Sequence, residues 1–126
     1  MKELIYIAIG GGAGSVLRYA ISKFITDSSG KLFPWGTMTV NLLGCLIVGL
    51  IIGWIMHHNI SEALRLAMII GFCGGFTTFS SFSVESLNLL RQGYTGLFCL
   101  YSGISLAGGL ILVYVGIVIT SSHWQN

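Results

Sequence analysis

Charge is what this chain has least of. Only 8% of its 126 residues are Asp, Glu, Lys or Arg, against a hydrophobic share of 54%. A water-soluble domain carries about 25% charged residues, so that deficit excludes water as the solvent for most of the surface. The net charge of +2 is too small to imply a polyanionic partner. No nucleic-acid motif, internal repeat or low-complexity tract is present, which leaves nucleic acid out as a partner. Cysteine is also scarce: Cys45, Cys73 and Cys99 lie in apolar stretches without any Cys-x-x-Cys spacing. They read as small buried packers rather than metal or redox groups. The glycine-rich run Gly10-Gly11-Gly12-Ala13-Gly14-Ser15 lacks both a following Gly-Lys-Ser/Thr and a preceding strand, so it is not a phosphate-binding loop. No nucleotide-binding or catalytic apparatus is visible, and the chain reads as a non-enzyme.

What fills the sequence instead is long apolar runs between narrow charged zones. Spanning a bilayer takes roughly 20 apolar residues, which makes room for four spans and no soluble domain. The expected architecture is an all-α membrane protein, a single domain over 1–126, with spans at about 4–25, 34–56, 63–90 and 95–120. Turn signals separate them at Asp27-Ser28-Ser29-Gly30, at His57 to Ser61 and at Arg91-Gln92-Gly93. The first run enters glycines and then Arg18 without a clear small-residue cleavage site, so it reads as a span and not a signal peptide. The third span is too long. Its roughly 28 residues would rise about 42 Å as one straight helix, against a hydrocarbon core of about 30 Å. Tilt absorbs part of that; a break at Gly74-Gly75, within the stretch 74–78, absorbs more.

Orientation is weakly encoded. Four spans put both termini on one side with Lys2 and Arg65, and leave Lys23, Lys31 and Arg91 on the other. Topology follows Lys and Arg in short loops, and that division is nearly even. Either the chain takes one orientation with a weak bias, or it inserts both ways and pairs as a dual-topology antiparallel homodimer.

The polar residues inside the spans are the functional candidates, because lipid tolerates them only when they are buried in protein or line a wet path. Gly10 and Gly14, four residues apart, suit close approach of another helix. Arg18 either snorkels to the interface or faces a wet vestibule that attracts anions. Thr37, Asn41 and Gly44 share a face of the second span, as helix glue or as donors to a ligand. Tyr101, Ser105 and Gly109 recur at intervals of four in the last span, as a packing seam or a hydroxyl track. The third span carries Gly74-Gly75-Phe76-Thr77-Thr78-Phe79-Ser80-Ser81-Phe82-Ser83 and then Glu85. As a helix from Thr78 onward it places Thr78, Ser81, Phe82 and Glu85 on one side with Phe79 at the margin. Ring edges are positive, so Phe79 and Phe82 either pack or offer an anion weak, directional stabilisation. Carbonyls released at a break near Gly74 and Thr77 suit a small hard cation, water or hydroxyls.

The sequence resembles the CrcB/Fluc family of bacterial fluoride channels over nearly its whole length. The resemblance is carried by Gly11-Gly12-x-Gly14-Ser15-x-x-Arg18, by Gly36-Thr37 with Asn41-Leu42-x-Gly44, and by the specific run from Gly71 to Ser83 with Glu85. It implies a four-span subunit in the bacterial plasma (inner) membrane, paired antiparallel around two fluoride pathways. It further implies Phe79 and Phe82 as an anion-lining aromatic box, Asn41 as a donor, and Thr78, Ser81, Tyr101 and Ser105 as polar lining. Arg18 matches the family's entrance arginine and Glu85 its acid near the pathway. Gly74 and Thr77 would give backbone carbonyls from both subunits to a central structural sodium ion (Na+). One position departs, since Gly109 offers no hydroxyl where many relatives have serine. The expected work is passive export of fluoride that entered as its neutral acid. The alternative is a small proton-coupled exporter resembling the small multidrug transporters. Those depend on a first-span Glu, a place held here by Arg18, although Glu85 remains available for proton exchange.

Overall fold

A computed structural model describes residues 1–122. Among them every regular element is helical, and four stretches are long and apolar enough to cross a membrane: Lys2–Ser29, Trp35–Ile55, Glu62–Arg91 and Thr95–Ser122. This is a multi-pass helical membrane protein. The first is helix α1 (Lys2–Ser29), which stops at Gly30 with φ 88°, a left-handed conformation that glycine adopts without strain. Pro34 precedes helix α2 (Trp35–Ile55), where its missing N–H costs nothing.

The third span is composite. Ser61 caps a short helix α3 (Glu62–Leu66) by accepting from the Leu64 N–H. A π-helical stretch, Ala67–Cys73, follows without interruption and runs into the single turn α4 (Gly74–Phe76). Thr77 and Thr78 are then extended, with φ/ψ of −93°/160° and −150°/116°, before helix α5 (Phe79–Arg91) begins. After a turn at Gly93, helix α6 (Thr95–Ser122) returns across.

The break therefore falls at Thr77-Thr78, inside the expected stretch 74–78 but three residues past the glycine pair. Gly74 and Gly75 are helical, and the two threonines are not. Packing explains the glycines. A methyl on Gly75 would meet the Gly11 carbonyl, one on Gly10 the Ala67 carbonyl, and one on Gly14 the Phe72 carbonyl. Their role is to let α1 lie backbone to backbone against the π segment and α4, the close approach expected of Gly10 and Gly14. Thr77 and Thr78 are β-branched and suited to extended backbone. The π turns were not legible in the sequence, which shows only an apolar run there.

The second tight seam joins α2 to α6. Gly49 lies against the Val113 carbonyl and Gly116 against the Leu46 carbonyl, again with no room for a side chain. The fully enclosed interior is small: Met38, Val40, Cys73, Phe76, Leu89 and Tyr101 are its buried large residues. Large apolar side chains stand exposed on every span, from Ile9 and Val16 to Leu110 and Tyr114. Such a surface is stable only in hydrocarbon or against another apolar surface.

Candidate functional site

A break inside a span leaves backbone N–H and C=O groups that lipid cannot hydrate, at several kcal/mol for each left unpaired. Here one side chain takes up both groups of one residue. The Thr78 N–H donates to Asn41 Oδ1 at 2.7 Å, and Asn41 Nδ2 donates to the Thr78 carbonyl at 3.0 Å. The amide thus imitates a neighbouring strand. Thr77 turns its hydroxyl back to the Cys73 carbonyl at 3.0 Å, and its methyl fills a notch that exists because residue 44 is glycine. None of these bonds is donated to the Thr77 carbonyl.

Thr78 also starts the helix that follows. Its Oγ1 accepts from the Ser81 N–H at 3.2 Å, donates to Ser81 Oγ at 3.2 Å and lies within hydrogen-bond reach of Ser80 Oγ at 3.2 Å. That is an N-cap, typically worth about 1 kcal/mol. Two turns on, Glu85 receives two hydroxyl donors from other spans, Thr37 Oγ1 at 2.6 Å and Tyr101 OH at 2.9 Å. Tyr101 is wholly buried. Thr37 and Tyr101 thereby hold a carboxylate within a span by neutral donors, with no Lys or Arg hydrogen-bonded to it.

The rings form a ladder beside these polar groups. Phe79 and Phe82 have centroids 5.7 Å apart, Phe82 and Tyr101 are 4.9 Å apart, and Phe33 meets Tyr101 edge-on at 5.6 Å. Phe79 is 79% exposed, so it is no part of a sealed core within one chain. Phe82 is partly covered by the cluster of Met38, Leu89 and Tyr101.

Two recesses meet at the break, and a third adjoins the second. A cleft of about 470 Å³ is bounded by Asn41, Cys45, Thr77, Phe79, Phe82 and Ser105, with Gly74 and Thr78 also on its wall. A second recess of about 480 Å³ holds Arg18 and Lys23 with a single opposing carboxylate, Asp27, along with Thr37, Ser80 and Ser81, and again Thr78. A third, about 160 Å³, reaches Glu85 past Lys31, Asn88 and Gln92, and shares Thr37 with the second. Thr78 alone borders both large recesses. Of the sequence-selected site residues, all but Tyr101 border these recesses, with Arg18 on the basic side and Ser105 on the cleft side; Tyr101, expected as polar lining, is buried instead against Phe82 and Glu85. The structure also adds what the sequence reading missed: the Asn41 clamp on Thr78, the two donors on Glu85, and the buried hydroxyls of Ser86, Ser102 and Ser105, which have no hydrogen-bond partner. A signal was available for the first two, since polar side chains at matching depth in different spans need partners.

Residues 5–117 match the family described as CrcB-like protein, Camphor Resistance (CrcB). The chain belongs to the CrcB family. Its curated relatives include a protein named fluoride-specific ion channel FluC from Bacteroides fragilis, 45% identical over 92% of this chain and 94% of that protein. A protein of the same name from Phocaeicola vulgatus is 45% identical over 93% and 97% of the two chains. Another, from Novosphingobium aromaticivorans, is 40% identical over 94% and 96%.

For a sodium ion held by the carbonyls of Gly74 and Thr77, the local chemistry fits. Both residues border the cleft, Gly74 is exposed with open space beside it, and the Thr77 carbonyl is left out of the bonding that holds the break. Among the described residues no cluster of three or more His, Cys, Asp or Glu exists, so a cation here would rest on backbone oxygen.

Proposed function

We propose that this protein is a fluoride-selective channel that lets fluoride leave the cell passively, in the inner membrane of a bacterium. The observation that carries the reading is the meeting of a basic recess and a ring-and-hydroxyl cleft at one residue, Thr78, in a broken span. The names of the relatives agree with it.

The chemistry follows from what fluoride needs. It is small and strongly hydrated, so a narrow route must replace its water while binding it weakly enough for exit. Arg18 and Lys23 raise the local concentration of anions in the basic recess without sitting in the narrow part. The hydroxyls of Ser80, Ser81 and Thr78 are the first neutral donors met. Beyond Thr78, Asn41 retains one amide hydrogen beside the bond it gives to the Thr78 carbonyl. Phe79 and Phe82 offer positive ring edges, and Ser105 offers a hydroxyl that no protein group uses. Glu85 stays off this line and holds Thr37 and Tyr101 in place. Gly74 and Thr77 would bind the structural sodium ion, whose charge would help fix the exposed break.

A single chain leaves the cleft and Phe79 open on an apolar face. An antiparallel pairing of two copies, each inserted in the opposite sense, would close two such routes. The nearly even division of Lys and Arg between the two sides supports that topology.

The runner-up is a proton-coupled exporter, which the carboxylate of Glu85 keeps in view. Fluoride efflux from proteoliposomes with equal pH on both sides separates the two. Rapid efflux down the fluoride gradient is expected; efflux that appears only with an imposed proton gradient would favour the exporter. Cross-linking of single-cysteine chains in native membranes should capture oppositely oriented pairs, and a uniform orientation would remove the antiparallel arrangement.

A further inference from the structure

The cleft has a donor that is neither amide nor hydroxyl. On α2, Asn41 and Cys45 are one turn apart; on α6, Ser105 and Gly109 are one turn apart in the same way. Asn41, Cys45 and Ser105 all border the cleft. Gly109 is buried, and a methyl placed on it would lie 3.2 Å from Cys45 Sγ, so the thiol occupies the space that residue 109 leaves. The neighbouring hydroxyl, Ser105 Oγ, is buried and unpartnered. At the turn where α6 supplies no polar hydrogen, α2 supplies a sulfur.

We propose that Cys45 is a specificity-determining residue of the anion route, and that its thiol is the position at which a small thiol reagent closes that route. The inference rests on the channel reading above. A thiol is a weaker donor than a hydroxyl, and its sulfur is larger and more polarisable. Fluoride, the hardest halide, gains least from it, whereas chloride loses little by the exchange. Cys45 therefore lowers the discrimination that an oxygen donor at the same place would give. Cys73 also borders the cleft but is buried in the π segment, and Cys99 is exposed on the outer face of α6; both are replaced in the test so that neither reacts in place of Cys45.

The test uses the full chain in liposomes, with Cys73→Ser and Cys99→Ser together so that Cys45 is the only thiol. The reagent is methyl methanethiosulfonate. The Cys45 thiolate attacks the sulfenyl sulfur, a sulfur–sulfur bond forms as the S–SO2 bond breaks, and methanesulfinate departs with the electron pair. The thiol proton goes to water. The added methylthio group fills a narrow route, so fluoride efflux should fall about tenfold or more and return on reduction. Fluoride should slow the labelling, read by mass spectrometry at Cys45. The Cys45→Ser chain should resist the reagent and show a fluoride-to-chloride flux ratio about two- to fivefold higher, the gain expected of a better-matched donor. Full labelling of Cys45 with unchanged efflux would overturn the inference, because the thiol would then lie off the route. An unlabelled Cys45 in a conducting protein would overturn it as well, because the thiol would be dry. Absence of fluoride efflux before any treatment is a different result: it defeats the channel reading itself.

Discussion

The two halves of the third span divide the molecule's work. From Glu62 to Phe76 the chain carries no polar side chain past Arg65, and it is held by backbone contact with α1 through Gly10, Gly14 and Gly75. From Thr77 to Glu85 it carries five hydroxyls and a carboxylate, and it is held by side-chain hydrogen bonds from α2 and α6. The first half shows how lipid-embedded helices pack when no polar group is at stake. The second shows what replaces regular pairing once the helix opens: Asn41 stands in for a strand, Thr78 caps the new helix, and two hydroxyls fix Glu85. Irregular backbone persists at this depth because each released group next to the cleft has a stated partner or a stated use.

Substitutions can break that contrast in decreasing order of effect. Asn41→Leu removes both bonds to Thr78 at once and leaves a buried N–H and C=O unpaired, a loss of about 2 to 6 kcal/mol at about 1 to 3 for each group. Fluoride efflux should fall to the level of empty liposomes. By comparison, Leu66→Ala in the first half should leave the rate within about twofold, since it touches none of these bonds. Retention of full flux by Asn41→Leu would dissolve the distinction between the halves.

Smaller losses are expected at Glu85. Thr37→Val and Tyr101→Phe each delete one donor at about 1 to 3 kcal/mol, so melting of the detergent-purified protein should drop and flux should fall. The double variant should lose less than the sum of the singles, because both act through one carboxylate. Phe79→Ile and Phe82→Ile should cut fluoride flux while size-exclusion elution stays unchanged, since apolar volume is roughly kept and ring edges are lost. Unchanged transport in both would return these rings to packing. The mildest change is Arg18→Gln. Its effect is long-range attraction, so flux should fall about two- to threefold in dilute salt and converge with the parent near 1 M, where the Debye length is about 3 Å.

How much of this the residues announced depends on what each signal was. Four spans follow from apolar length, and Gly10 and Gly14 announce that another helix lies close against α1, though not that it is the third span. The excess length of the third span announced a break, but glycine content pointed to Gly74-Gly75, where helix geometry survives because those glycines serve close packing. Backbone preference of the β-branched Thr77 and Thr78 was the better guide. The candidate residues were legible as polar groups in apolar runs: Asn41, Thr37, Tyr101, Ser105 and the hydroxyls around Phe79 and Phe82. Their pairing was not. Which hydroxyl reaches Glu85, and that Asn41 clamps Thr78 on both sides, depend on helix rotation and depth that periodicity leaves free. The π turns of Ala67–Cys73 have no signature in an apolar run, and Gly109 gained its meaning only once Cys45 was seen against it.

The most direct test is a paired efflux measurement on purified protein in liposomes, with equal pH on both sides, recorded with fluoride-selective and chloride-selective electrodes. The route described here predicts rapid fluoride release, retention of chloride, and loss of the fluoride signal in Asn41→Leu. Equal release of both halides, or none of either above protein-free liposomes, would contradict it.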